Sequence, residues 1–319
     1  MAGLVAGVDL GGTKIQTVVL KNREVVGSSR VETPRTGADD VLTAIADSVK
    51  ASLQNAGEQL GDLDAAAVGT PGTINEADGS VSSAANVPGF NPGPVPLAAS
   101  LSRSLGGIPV KVDNDVRVAV LGEWKRGAGR PFKDLLGVFV GTGVGGGLVL
   151  DGHLRVGRGA AGEIGHTIVK DGGRRCSCGH RGHLESYAGR GRMEMTARKW
   201  EKTGRKTRLF DIMERRGRDR VTSGVIADAL SHHDRVAMEL IDEAVWALGI
   251  ALANATNLLD LEAIIIGGGL GDRLGAPFVQ RVAKAATPLL YQPEHAPAFL
   301  PTELGDLSGA VGAAVLAGG

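Results

Sequence analysis

A chain of 319 residues, 43% hydrophobic and 22% charged, is long enough for two packed lobes or one large domain and has the composition of an ordinary folded protein. Its 35 Lys and Arg balance 35 Asp and Glu, so no global charge points to nucleic acid or to an anionic membrane. The first twelve residues carry no basic stretch or long apolar core, no apolar run approaches bilayer length, and the two cysteines stand too close for a disulfide framework. The expectation is a cytoplasmic protein. Glycine is the outlier, 49 residues, roughly twice average usage.

The β-rich runs Leu4–Leu10 and 15–20 are separated by Gly11-Gly12-Thr13-Lys14, which predicts a β-hairpin, and Glu24–Glu32 adds a third strand. Across residues 40–55, Val41, Ile45, Val49 and Leu53 recur at helical spacing and predict an amphipathic helix. Strands follow at 65–68 and 108–112. The pattern then restarts. Leu135–Val140 reads as a buried strand, 141–147 as a glycine loop, and 148–150 as a resumed strand, which suggests internal duplication of a hairpin-led lobe. Residues 190–220 are rich in Arg and Lys and read as a solvated helical excursion. A long helix over 234–259, a strand at 263–266, Gly267-Gly268-Gly269 and a small-residue helix at 308–317 complete the chain. The fold class is α/β, mixed sheets flanked by helices.

Three glycine segments stand after strands: Asp9 to Lys14, Gly141-Thr142-Gly143 with the glycines that follow, and Gly267-Gly268-Gly269. Glycines without a Cβ let backbone N–H groups approach an anion, so the three together favour a nucleotide polyphosphate. A Walker A loop is excluded, since no Gly-Lys pair occurs. The Gly141–Gly146 stretch fits G-x-G-x-x-G, but a strand follows it where a dinucleotide fold needs a helix. Asp9, beside the first glycines, suits a Mg²⁺ hydration shell. Asn114-Asp115, after a strand, suits a sugar hydroxyl whose proton Asp115 accepts, or else a simple Asx turn. His166, Cys176, Cys178 and His183 have the chemistry and compact spacing of a structural Zn²⁺ site, one that pins a loop carrying Glu163 and Glu185.

In order and type these segments resemble the ROK group of sugar kinases and sugar-responsive repressors, within the actin-like ATPase superfamily. The landmarks run from Asp9-Leu10-Gly11-Gly12-Thr13-Lys14 through Gly69-Thr70-Pro71-Gly72, Asn86, Asn114-Asp115, Glu163-x-Gly165-His166 and Cys176-x-Cys178-Gly179 to Leu304–Gly309. The resemblance implies two actin-like (ribonuclease H-like) lobes around a central cleft. The small lobe would be residues 1–115, rejoined by the helix at about 305–319, and the large lobe 116–304. It implies transfer from MgATP to the 6-hydroxyl of a hexose, glucose first, with Asp115 as base. Gly72, Asn86, Asn114, Glu163, His166 and Glu185 would meet the sugar. Asp9, Gly11, Gly12, Thr13 and Lys14, with Gly141, Thr142 and Gly143, would border the phosphates, and Gly267, Gly268 and Gly269 the adenosine. A homodimer or homotetramer is expected.

Two positions depart from the family pattern. His183 stands where the family has a third cysteine, with His180 as the other candidate ligand. Arg117 replaces a frequent asparagine and places a cation near Asp115, whose basicity would fall if the two paired. Other sugars remain open: N-acetylmannosamine, N-acetylglucosamine, mannose, allose and fructose. The basic segment leaves inorganic polyphosphate open as donor. A repressor would carry a helix-turn-helix before the first glycine segment, which here begins at Asp9, so the enzyme is preferred to a sugar sensor.

Overall fold

Strand-forming residues separated by tight turns build two sheets on one plan. The computed structural model describes residues 3–91 and 93–319; residues 1, 2 and 92 lie outside it. Strands β1 (Leu4–Leu10), β2 (Lys14–Lys21) and β3 (Glu24–Glu32) form an antiparallel meander. The β2–β3 turn needs only Asn22 and Arg23, both at positive φ (51° and 74°), the twist that suits a two-residue hairpin. Helix α1 (Ala38–Asn55) buries Val41, Ile45, Val49 and Leu53, as its spacing predicts. Then come β4 (Leu63–Thr70), the small hairpin β5 (Thr73–Asn75) and β6 (Ser80–Ser82), α2 (Leu97–Ser104), β7 (Val110–Asn114) and α3 (Asp115–Arg126). The first sheet runs β3-β2-β1-β4-β7, with β1, β4 and β7 parallel.

The second half repeats this order. It contains β8 (Leu135–Val140), β9 (Val144–Leu150), β10 (His153–Arg155), α4 (Glu185–Ala188), α5 (Arg190–Lys202), α6 (Leu209–Arg215), α7 (Ser223–Ser231), α8 (Arg235–Leu259), β11 (Ala263–Gly267), α9 (Gly268–Ala286), β12 (Ala298–Pro301) and α10 (Ser308–Gly318). Its sheet runs β10-β9-β8-β11-β12, antiparallel on one side of β8 and parallel on the other. The duplication expected from the sequence is therefore present strand for strand. One expectation is corrected: the glycine loop at 141–147 is only a turn at Gly141–Gly143, and β9 begins at Val144. Gly145, Gly146 and Gly147 are paired with β8, so their backbone groups are committed to the ladder.

The chain forms two compact units. One extends to Arg130 and takes back Asp306–Gly319; the other is Pro131–Gly305. The division falls after Arg130 rather than after residue 115, because α3 and α10 interlock. A Cβ on Gly122 would strike the Ser308 carbonyl, one on Gly312 the Val118 carbonyl, and one on Gly7 of β1 the backbone of Ala310 and Ala314. The small residues of α10 thus let it lie flush between β1 and α3. Beneath them Glu123, fully buried, accepts from the Ser308 hydroxyl at 2.7 Å and the Ala128 N–H at 3.1 Å.

Each unit has its own core. Leu10, Ile15, Ile45, Leu53, Phe90 and Leu101 pack in the first. Leu136, Leu184, Met193, Leu240, Ile264 and Phe278 pack in the second. Helix α8 starts where the Asp234 carboxylate accepts the Ala237 N–H at 2.8 Å, and it ends at Asp260 in the left-handed region. The basic excursion is helical, as read, and is anchored by Met193, Ala197, Leu209 and Ile212. Among the described residues no helix is long and apolar enough to cross a membrane.

Candidate active site

In each unit the candidate residues gather where parallel strands end, the place where open α/β sheets bind ligands. In the first unit Asp9 pairs in register with Gly69, and Gly69 with Asp113, so the ends of β1, β4 and β7 lie side by side. The β1–β2 turn is closed by the Gly11 N–H bonding the Lys14 carbonyl at 2.9 Å, and the Thr33 hydroxyl holds the Gly11 carbonyl at 2.6 Å. A Cβ on Gly12 would collide with the Asn86 backbone, which brings the first glycine turn and Asn86 together. Gly72 has φ +107°, and a Cβ there would lie 2.7 Å from the Ser82 carbonyl oxygen, so the residue serves the backbone path.

Asp9 meets the start of α10: a Cβ on Gly309 would come within 2.8 Å of its carboxyl carbon. Burial, then the neighbouring Asp115 and Asp306 charges, raise its pKa to about 6, against the opposing pull of Lys14. Lys14 itself reaches Asp306 at 3.3 Å.

Asn114 and Asp115 are both helix-start residues. The Asn114 side-chain oxygen caps α3 by accepting the Val116 and Arg117 N–H groups at 3.0 and 3.1 Å. The Asx turn is therefore real, and it fixes the first residue of α3, Asp115, at the strand end. One Asp115 oxygen accepts the Val116 N–H at 2.9 Å. Arg117, 7% exposed at its side chain, forms an ion pair with Asp113, its Nε donating at 2.6 Å. Arg117, the cation two residues from Asp115, is thus paired with a carboxylate one turn back.

The second unit mirrors this. Gly141 N–H bonds the Gly143 carbonyl at 2.9 Å, and Thr142 sits at the tip of the turn. The Glu185 carboxylate accepts the Val144 N–H at 3.1 Å and the Ser177 hydroxyl at 2.6 Å, so it joins the glycine turn to the cysteine loop. A Cβ on Gly165 would strike the Val144 carbonyl, and one on Gly146 would lie 2.6 Å from the Gly162 carbonyl oxygen. The glycines of β9 therefore seat the segment carrying Glu163 and His166. Gly267 ends β11 opposite Phe139. Gly268, at φ +78°, lies where a Cβ would be 2.7 Å from the Val140 N atom, so the triple glycine closes against the strand that leads into Thr142.

The donor atoms of His166, Cys176, Cys178 and His183 all lie within 4.8 Å of one another. Nearest approaches are 3.3 Å for Cys178 Sγ to His183 Nδ1, 3.4 Å between the two Nδ1 atoms, and 3.9 Å for Cys176 Sγ to His166 Nδ1. Bond lengths of about 2.0–2.3 Å to Zn²⁺ imply tetrahedral edges of roughly 3.3–3.8 Å, which the Cys178–His183 and His166–His183 separations match while the Cys176–His166 separation is wider, and the two thiols and two imidazoles are the donor types that ion takes. His180 stacks on the His183 ring and reaches Cys178 at 3.6 Å. The Cys178 thiol is pulled down to about 6, foremost by the His180 backbone N–H, which favours the thiolate a metal needs. His166 turns Nδ1 to the cluster and Nε2 toward the Glu163 carboxylate, 4.0 Å away.

Glu123 and Arg190 also shape these sites, and the sequence did not single them out. A buried Glu in a helix and an Arg opening one have no local signature; only their contacts, far along the chain, reveal them.

Duplicated units of this topology, each ending parallel strands in a glycine turn, define an actin-like ATPase fold. The chain belongs to the ROK family, whose family description matches residues 5–319. It is 35% identical over 289 residues to a glucokinase of Halalkalibacterium halodurans, covering 88% of this chain and 86% of that one. A glucokinase of Streptomyces coelicolor is 32% identical over 99% of this chain and 98% of its own. Among solved structures, a ROK glucokinase from Streptomyces griseus in complex with glucose and AMPPNP superposes with a TM-score of 0.82, 31% identity and 99% coverage of both chains.

Proposed function

We propose that this chain transfers the γ-phosphoryl group of ATP to the 6-hydroxyl of a hexose, with glucose the preferred acceptor. The observation that carries this reading is the position of Asp115. In the first unit β7, parallel to β4, runs through the Asn114 cap into α3, and this fixes the carboxylate Asp115 at the strand end beside Asp9 and Gly69. The glucokinase relatives and the glucose- and AMPPNP-bound structure support the choice of sugar and donor.

In this mechanism Asp115 accepts the proton of the attacking hydroxyl, a contribution of about 10²- to 10⁴-fold. The N–H groups of Gly12 and Thr13, with those of Thr142 and Gly143, donate to the phosphate oxygens as charge builds on them, while Gly11, whose own N–H closes the turn, borders them. Gly267, Gly268 and Gly269 leave room for the adenosine. The amide of Asn114, with Asn86, Glu163, His166 and Glu185, orients the sugar beside Gly72. Asp9 would hold Mg²⁺ through its water shell, and that ion supplies neutralisation of phosphate charge. His166, Cys176, Cys178 and His183 would hold Zn²⁺ as a structural clamp on the Glu163 and Glu185 segments. ATP as donor implies a cytoplasmic address.

Two measurements test this. ADP release with MgATP across a hexose panel should give the highest kcat/KM on glucose; a higher value on N-acetylmannosamine, or silence on all hexoses, contradicts it. Metal analysis should find about one zinc per chain. A zinc-free preparation with unchanged folding and activity would remove the clamp from the account.

A further inference from the structure

The basic excursion holds charge that its own acids do not neutralise. Residues 190–220 contain twelve Lys and Arg against five Asp and Glu. Several of the cations are paired: Arg198 with Glu194 at 2.6 Å, Arg216 with Asp228 at 2.8 Å, and Arg205 with Glu239. Arg190 is different. Its guanidinium, partly buried, donates to two neutral hydroxyls, Thr142 Oγ1 and Ser223 Oγ, each at 2.9 Å. Arg220, another cation, and Glu194 act on it through space. Glu194 is already engaged by Arg198 and by the Val221 N–H at 2.8 Å.

More cations converge on the same place. Arg216 and Arg273 flank Gly224 in the first turn of α7: a Cβ there would lie 3.3 Å from one guanidinium and 3.6 Å from the other. A Cβ on Gly269 would sit 3.4 Å from Ser223 Oγ and 3.7 Å from Arg190 Nη1. Arg220 and Arg273 are exposed and form no ion pair among the described residues. Arg190, Arg216 and Arg273 therefore border the segment from the Thr142 turn to the triple glycine, with Arg220 in electrostatic reach of Arg190, and the acids there are the engaged Glu194 and Asp228 and, beside Gly267, Asp272, which accepts the Thr302 hydroxyl. Planar guanidinium groups in such number are suited to phosphate oxygens, which they bind by two parallel N–H bonds.

We propose that Arg190, Arg216, Arg220 and Arg273 bind the condensed phosphate chain of the donor, with Arg190 also fixing the Thr142 hydroxyl. This rests on the donor reading above and adds a second, side-chain component to the backbone turns. The shared chemistry is a run of linked phosphates, carried either by a nucleoside triphosphate or by inorganic polyphosphate.

The test uses inorganic tripolyphosphate as a probe on the full chain and on the double variant Arg220→Gln/Arg273→Gln, whose two sites are exposed. Tripolyphosphate should bind the wild type by calorimetry and compete with ATP. The double variant should weaken its binding and raise the KM for ATP by about tenfold, the scale of one charge-assisted contact, while the KM for glucose moves less than about twofold. Arg190→Gln should also lower kcat, through Thr142. Turnover that needs ATP and falls in the variant assigns the cluster to the nucleotide. Turnover with long-chain polyphosphate, lost in the variant, assigns it to the inorganic chain; both results support the inference. Tripolyphosphate binding that is absent from the wild type, or equal in the variant, overturns it. If no hexose is phosphorylated the kinase reading fails, yet tripolyphosphate calorimetry still decides the fate of the arginine cluster.

Discussion

Replacing Asp115 with asparagine should lower kcat by about 10²-fold or more, with the KM for glucose changed by less than about fivefold. Asparagine keeps the size of the side chain and an oxygen able to accept the Val116 N–H, so the start of α3 survives. What it loses is the capacity to take a proton. Arg117 is held by Asp113, and the substitution leaves that ion pair in place. A kcat split from KM in this manner marks an interaction made in the transition state. Near-normal turnover would remove Asp115 as the base and leave the hydroxyl to lose its proton to solvent.

Asp9→Asn should produce the opposite signs in stability and activity. In the folded protein the Asp9 pKa stands at about 6, raised by burial and by Asp115 and Asp306. The unfolded chain releases that proton near the ordinary carboxylate value of about 4. Between those two values the folded state binds more protons than the unfolded one, so stability falls as pH rises through about 4 to 6 and stays lower above it. The asparagine variant carries no such penalty. At neutral pH it should be more stable than wild type, on the order of 1–3 kcal/mol, with the gap closing toward about pH 4. Its phosphoryl transfer should drop by about 10²-fold, because the charge that would hold Mg²⁺ is gone. Thermal melts at about pH 4.5 and about pH 7.5, paired with rate measurements, decide the matter. A variant less stable than wild type at neutral pH, or one whose stability gap is flat with pH, contradicts the assignment of strain to this carboxylate.

Much of this was legible in the sequence where the signal is local. The β1–β2 and β8–β9 hairpins follow from β-rich runs broken by glycine, and α1 and α8 from their apolar spacing. The His166, Cys176, Cys178 and His183 set was visible in residue type and spacing, and the fold brings those four donors together while His180 packs on His183. Strand β9 was misjudged because glycines hide the period of a strand; their role, seating Gly162 and Ile164, depends on contacts no local pattern encodes. The direction of Arg117 was also out of reach. Two residues from Asp115 and four from Asp113, it follows the helical i, i+4 geometry once Asn114 starts the helix. Arg190 lies 48 residues from Thr142, and nothing in composition pairs them.

The most direct test of the central claim is phosphorus NMR of the purified protein with MgATP and glucose, followed to completion. The account predicts ADP and a phosphoester on the 6-carbon of glucose in equal amounts, formed by the wild type and nearly absent with Asp115→Asn. Inorganic phosphate and ADP without a sugar ester, or an ester at another carbon, would contradict it.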